Sequence, residues 1–335
     1  HAVWPAVWRL GAAIWRFWYE HGHINEGRAV LARIQSGPSD GVPLEVRDTV
    51  ALGAGVLAFI QDDYPAAQAA FVRVLEEPRS AHAGRLVAQA LTNLGMVAYW
   101  QGRYAEAIGL LQESLPMLRQ LDDRYGMAST LRYLGMAQLD QGSQRQALAM
   151  LADSLNFYQE LGNQSGIGTA MGFYGRALFA CGDLDEAAYW LEQSMAILGA
   201  LDNWPSLARS QTCLGRVALA RNQTERARGL LRSSLRLFDR VGDREGIATA
   251  LEGLALLKTG QGQLAAARDL WRGADSLRAA IGAPIAPADR RAIQRLWPSY
   301  PGRSTQPLRR QGDAAPEALP ALIARALADD EISRG

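Results

Sequence analysis

Arg176 and Arg216 each directly follow a glycine, Gly175 or Gly215, at equivalent positions of a repeated pattern. A guanidinium is a planar fork of donors that grips a carboxylate or phosphate through two parallel hydrogen bonds. Two such groups at equivalent positions of a repeated structure could face one anion from neighbouring helices. Arg132 and Arg209 fall nearby in the same pattern, and Glu252 is an acid in the same register. Two outcomes are open from the sequence. The arginines hold an anionic ligand, or they are solvated or paired with Glu252 and other acids, as surface charges commonly are.

Other reactive residue types form no constellation. His21 and His23 flank a turn, with no Cys, Asp or third His beside them to complete a metal site. Cys181 and Cys213 lack a neighbouring base, and their place inside helical patterns fits a reducing cytoplasm. Lys258, the sole lysine, is followed by Thr259 and Gly260, so no phosphate loop exists, and no G-x-S-x-G nucleophile turn occurs. The expectation is a binding protein with no catalytic residues, no metal and no cofactor. With 35 basic and 34 acidic residues the formal charge is +1, which gives no bulk attraction to nucleic acid. No apolar run is long enough to span a membrane. Arg9 and Arg16 interrupt the Trp-rich start, which reads as a first helix and not an export signal.

The elements that must position the arginines follow from self-similarity. Leu94-Gly95, Leu134-Gly135, Tyr174-Gly175 and Leu214-Gly215 recur at one fixed spacing, and the register extends back to Gly55 and Trp15 and forward to Ala255. At the same offset after each anchor stands a turn former: Gly22, Asp62, Gly102, Gly142, Gly182, Asn222 or Gly262. These types tolerate a left-handed helix terminus. Next comes a small residue, Gly27 or the alanines from Ala67 to Ala267, and one helical turn further on a bulky one, from Leu31 and Phe71 to Trp271. A second turn carries Asp123, Asn163, Asn203 and Asp243 as caps for the following helix. Each unit is thus a helix, a tight turn and a second helix. The predicted class is all-α, a right-handed superhelical solenoid of about seven 40-residue helix pairs.

The set Leu94-Gly95, Ala98, Gly102, Tyr104, Ala107 and Leu111 resembles the tetratricopeptide repeat in its long-helix variety. Trp15 to Arg28 is similar to the beginning of the carboxy-terminal sensor region of bacterial signal-transduction ATPases with numerous domains, which include regulators related to the maltose activator and AfsR-type proteins. Gly273 to Pro284 resembles the segment that closes such arrays. The resemblance implies a cytoplasmic sensor module excised from a larger transcription regulator. It would relay the binding of a protein, a peptide or a small anionic inducer to a nucleotide-binding domain of the same full-length protein. The alternative is a constitutive scaffold or oligomerisation array. In tetratricopeptide folds the concave groove is lined by the first helix of each pair, and the matching positions here include Met96, Tyr99, Arg132, Met136, Arg176, Phe179, Arg209, Arg216 and Glu252. By composition the array spans 1–298, a proline-rich linker 299–317, and a C-terminal helix or tail 318–335. The run from Ala318 to Ala328 either caps the last repeat or engages another domain or chain.

Overall fold

A computed structural model describes residues 3–20, 23–76, 84–297 and 318–328. Gly22, the 299–317 linker and the tail after 328 lie outside these residues. The described chain is helical throughout, and it divides into two compact units, His1–Ala137 and Gln138–Gly335.

The first unit holds three helix pairs: α1 (Trp4–Glu20) with α2 (Ile24–Gln35), α3 (Leu44–Ile60) with α4 (Tyr64–Glu76), and α5 (Gly84–Trp100) with α6 (Tyr104–Gln120). α7 (Arg124–Asp140) follows, its last residues, from Gln138, belonging to the second unit. The second unit continues with α8 (Gln144–Glu160), α9 (Gln164–Cys181), α10 (Leu184–Ala200), α11 (Trp204–Ala220), α12 (Thr224–Val241), α13 (Arg244–Gly260) and α14 (Leu264–Ile281). Two shorter helices close it, α15 (Pro287–Leu296) and α16 (Leu319–Ala328).

The repeat chemistry explains the pairing. Asp62, Gly102, Gly142, Gly182, Asn222 and Gly262 all take positive φ, which lets the chain reverse in a tight turn. At the second turn the side chains of Asp123, Asn163, Asn203 and Asp243 accept hydrogen bonds from the backbone N–H groups of Gly126, Gly166, Ser206 and Gly246. Each satisfies a donor that the start of a helix leaves without an intrahelical partner. Between the two helices of a pair, Leu31, Phe71, Leu111, Leu191, Leu231 and Trp271 are fully buried. The anchor glycines make room for them: a Cβ at Gly95 would lie 2.6 Å from Leu111, and one at Gly55 would lie 2.4 Å from Phe71. Burying each of these large side chains is worth roughly 1.5–3 kcal/mol.

A polar stitch runs through the same layers. Ser114 donates from its hydroxyl to the Ala88 carbonyl at 2.8 Å, and its Oγ sits 2.8 Å from Thr92. At an equivalent position of the second unit Ser194 donates to the Gly168 carbonyl at 2.7 Å and pairs with Ser210 at 2.8 Å. Ser154 and Ser234 are buried at the same register.

In the second unit the first helices α9, α11 and α13 neighbour one another, and α10, α12 and α14 form the layer behind. α16 docks on α12 and α14, where Leu322 and Ile323 join the cluster around Leu251, Leu254 and Trp271. α15, which falls inside the 1–298 range expected for the array, does not pair as a further repeat. It crosses onto the first-helix face and packs on α9. Among the described residues no helix is long and apolar enough to cross a membrane.

Candidate functional site: the first-helix face of the second unit

Gly175 and Gly215 lie against the paired helices, with a Cβ at either position only 2.8 Å from Leu191 or Leu231. The next residue lies about 100° further round the helix, since an α-helix turns once per 3.6 residues. Arg176 and Arg216 are thereby aimed along the face of the first helices, and both reach the same carboxylate, that of Asp289 on α15. Arg176 donates from Nε to Oδ1 at 3.0 Å and from Nη2 to Oδ2 at 3.0 Å, a two-pronged clamp. Arg216 approaches the same Oδ2 with Nη1 at 3.7 Å. The two guanidiniums hold the Asp289 carboxyl below its ordinary range, against burial, which pushes it up.

The rest of α15 is anchored by helix ends. Asp140, at the end of α7, accepts at 2.8 Å from the backbone N–H of Ala288 in the first turn of α15. A carboxylate there complements the positive end of the helix dipole. Arg291 donates to the carbonyls of Leu139 and Asp140 at 2.9 and 3.3 Å, and Arg295 donates to those of Phe179 and Ala180 at 3.3 Å. Both thus add donors at the ends of α7 and α9, where the carbonyls of Leu139 and Phe179 also accept from the turn N–H groups of Gly142 and Gly182. The apolar footprint is modest: Ala288, Ala292 and Ile293 are buried, Ala292 joins the cluster that contains Phe179, Cys213 and Val217, and Leu296 and Trp297 pack half-buried against that cluster. Burial pushes the Cys213 thiol up to about 12, with Asp289 adding to the shift and Arg216 and Arg176 opposing it.

Behind the clamp, charge alternates through the unit. Arg216 donates to Glu252 at 3.0 Å, and Arg278 of α14 donates from Nε to the other oxygen of Glu252 at 2.5 Å. Arg278 also lies 3.3 Å from Glu245, which accepts from Arg209 at 2.6 Å. Along the chain of contacts Arg209, Glu245, Arg278, Glu252, Arg216, Asp289, Arg176 each charge is followed by its opposite. Glu252 is fully buried and Arg216 is 3% exposed, so each charge depends on its neighbours for solvation. Burial works to raise the Glu245 carboxyl, but Arg209 and Arg278 overcome it and lower it to about 2. Burial likewise acts to lower Arg278, and Glu252 and Glu245 raise it above its ordinary value.

Of the groove residues expected from sequence, Arg176, Phe179, Arg209, Arg216 and Glu252 come together in the second unit. Phe179 contributes packing and its carbonyl, and Arg209 pairs with Glu245 and Asp243. The others lie in the first unit. Met96, Tyr99 and Met136 are buried there, with Tyr99 edge-on to Trp100 and Tyr104. Arg132 is half-buried and stacks 4.2 Å above the Tyr133 ring. Asp289, Asp140, Glu245 and Arg278 are absent from the expected set. Glu245 and Arg278 lie within the repeats but off the groove positions, and Asp289 follows the last repeat, where the period carries no signal. Of the histidine pair, His21 lies outside the described residues, and His23 lies 3.9 Å from Glu26 and stacks on Phe17 at 6.2 Å.

The tetratricopeptide repeat family matches residues 86–160 and 166–240, just under half of the chain. No curated protein sequence matches it. Among solved structures, the chain is similar to a Rap protein complexed with competence and sporulation factor, with a TM-score of 0.65 at 11% identity over 87% of this chain and 80% of that one. It is also similar to NprR in complex with its cognate peptide NprX, with a TM-score of 0.59 at 13% identity over 89% and 85% of the two chains. The Rap conjugation gene regulator of plasmid pLS20, in complex with the Phr* peptide, gives a TM-score of 0.55 at 14% identity over 83% and 96%. The chain therefore carries tetratricopeptide repeats and has the solenoid fold of these regulators.

Proposed function

We propose that the first-helix face of the second unit is a recognition groove for a carboxylate-bearing peptide or protein segment, and that the chain is a sensor module and not an enzyme. The observation that carries this is the convergence of Arg176 and Arg216 on one carboxylate, from equivalent positions of adjacent repeats. Arg216 is already held by Glu252 and the Thr249 carbonyl, so it loses little ordering entropy on binding and recognises an anion with less loss than a free side chain would. The Rap and NprR structures in complex with a factor or peptide support the choice of a peptide over a small inducer. The likeness of Trp15 to Arg28 and of Gly273 to Pro284 to sensor regions of signal-transduction ATPases supports a further step. In that step binding is relayed to a nucleotide-dependent switch in the same cytoplasmic regulator.

The test is thermal unfolding against acidic peptides, nucleotides and sugar phosphates. A ligand at about a hundred times its dissociation constant stabilises by about 2.7 kcal/mol. That stabilisation should vanish when Arg176→Ala and Arg216→Ala are combined. A shift of equal size in the double variant would move the site elsewhere. No shift with any compound, in a chain whose groove is open, would favour a constitutive scaffold.

A further inference from the structure

We infer that α15 is a built-in ligand for this groove: a displaceable segment whose Asp289, Arg291 and Arg295 occupy the positions that an incoming peptide would take. The inference rests on the groove reading above and gives it a ligand class and a gate. Asp289 fills the Arg176–Arg216 clamp, the N–H of Ala288 meets Asp140, and Arg291 and Arg295 cover the ends of α7 and α9. None of these partners belongs to α15. The occupant is therefore not simply acidic. It presents one carboxylate, followed along the same helix by Arg291 and Arg295, the two of its three arginines that reach helix ends. A competing peptide should carry the same Asp-x-Arg-x-x-x-Arg order on one helix.

Two features separate α15 from the helices that build the repeats. It has 10 residues where α9 to α14 have 17 or 18. A helix that short is marginal in water by itself, so its order depends on the surface it rests on. Its buried side chains are two alanines and one isoleucine, whereas α14 buries Leu270, Trp271, Leu277 and Ile281. The docked state is held by polar anchors that another segment can reproduce, together with Ile293 and the half-buried Leu296 and Trp297. The tether, Gly282 to Ala286, keeps α15 at an effective concentration of order millimolar, so a peptide in solution must outcompete a resident copy. Its apparent affinity falls in proportion to the fraction of open groove.

Cys213 reports the gate. It shares an apolar cluster with Ala292 of α15 and feels the charge of Asp289. In a Cys181→Ser background it is the only thiol of the chain. We expect it to react slowly with a disulfide reagent, and at least tenfold faster when Asp289→Asn is added, with helicity retained. A synthetic peptide of residues 284–297 should bind the Asp289→Asn chain at least tenfold more tightly than the parent, and should fail to bind once Arg176→Ala and Arg216→Ala are introduced. Hydrogen exchange of the parent chain gives a second measure that needs no variant: amides of 288–296 should exchange by local opening, well ahead of those in α13. Equal Cys213 protection in both chains, exchange of α15 only with α13, or loss of helicity in Asp289→Asn would each make α15 a fixed part of the fold and overturn the inference. Opening without binding of the 284–297 peptide would overturn it as well. An opened chain that takes this peptide but no foreign one leaves the gate standing and removes the sensor reading. A parent chain that binds foreign peptides with Cys213 still protected does the reverse.

Discussion

Met96 and Met136 follow the anchor glycines Gly95 and Gly135 in the first unit, and Arg176 and Arg216 follow Gly175 and Gly215 in the second. Backbone and register are the same in all four. Both methionines are buried, whereas both arginines enter a chain of alternating charges that runs through Glu252 and Asp289. One helical turn before the anchor position the contrast repeats, with Thr92 bonded to Ser114 and Thr130 in one unit and Glu252 clasped by two arginines in the other. The layer between paired helices tolerates little change, because Gly95, Gly175 and Gly215 each leave less than 3 Å between an added Cβ and a leucine. The face beside that layer is not bound by this packing, and one unit buries methionines there while the other buries charge.

The largest expected effect comes from removing the acid at the centre of that charge. Glu252→Ala leaves Arg216 and Arg278 buried beside each other without their shared counter-charge, which should cost about 3–5 kcal/mol. Hydrogen exchange reads the loss where it occurs: amides of α11 to α14 should lose protection, with those of α3 to α6 unchanged. A cost below about 1 kcal/mol would mean that the arginines are solvated and that the contrast between the units is only one of composition.

Acid should separate the units next. The Glu245 carboxyl is lowered from 4.5 to about 2 in the folded chain. Its ionised form therefore stabilises the fold above pH 4.5, and that contribution is lost as the pH falls toward 2. Asp289, also lowered, acts in the same direction, while Asp243, raised by its burial, acts against it. Exchange protection in α11 to α15 should then decay over this window ahead of protection in α3 to α6, as followed by pulse labelling after a pH step. In Glu245→Gln the acid dependence of α11 to α14 should flatten, with part of the stability already missing at neutral pH. An unchanged slope would place the acid-sensitive groups elsewhere.

The fold was legible in the sequence because a fixed period multiplies weak signals. One Leu-Gly pair or one turn glycine says little, but turn positions from Asp62 to Gly262 in one register demand paired helices, and each takes the left-handed conformation they require. The clamp was half legible. Arg176 and Arg216 stand out by their equivalence, and Glu252 by its register. Their partner Asp289 could not be found this way, because it lies far downstream of both, in a helix that follows the last repeat. What places it is the return of the chain onto α9, a tertiary event that no local pattern encodes. The buried serines Ser114, Ser154, Ser194 and Ser234 were within reach, since they too recur with the repeat, but small polar residues at helical spacing carry no distinctive weight until their acceptors are known.

The smallest effect tests the apolar half of the comparison. Met136 is fully buried, and a leucine of similar volume conserves both its size and its apolar character. Volume-conserving swaps of this kind usually cost less than about 1.5 kcal/mol. Met136→Leu, and Met96→Leu with it, should therefore leave unfolding in urea nearly unchanged. Ligand-induced stabilisation should also be unchanged if recognition belongs to the arginine face. A loss of ligand response in Met136→Leu, without loss of stability, would make the methionines of the first unit contact residues as well. Retention of the response there, alongside its loss in the combined Arg176→Ala and Arg216→Ala chain, would confine recognition to the charged face.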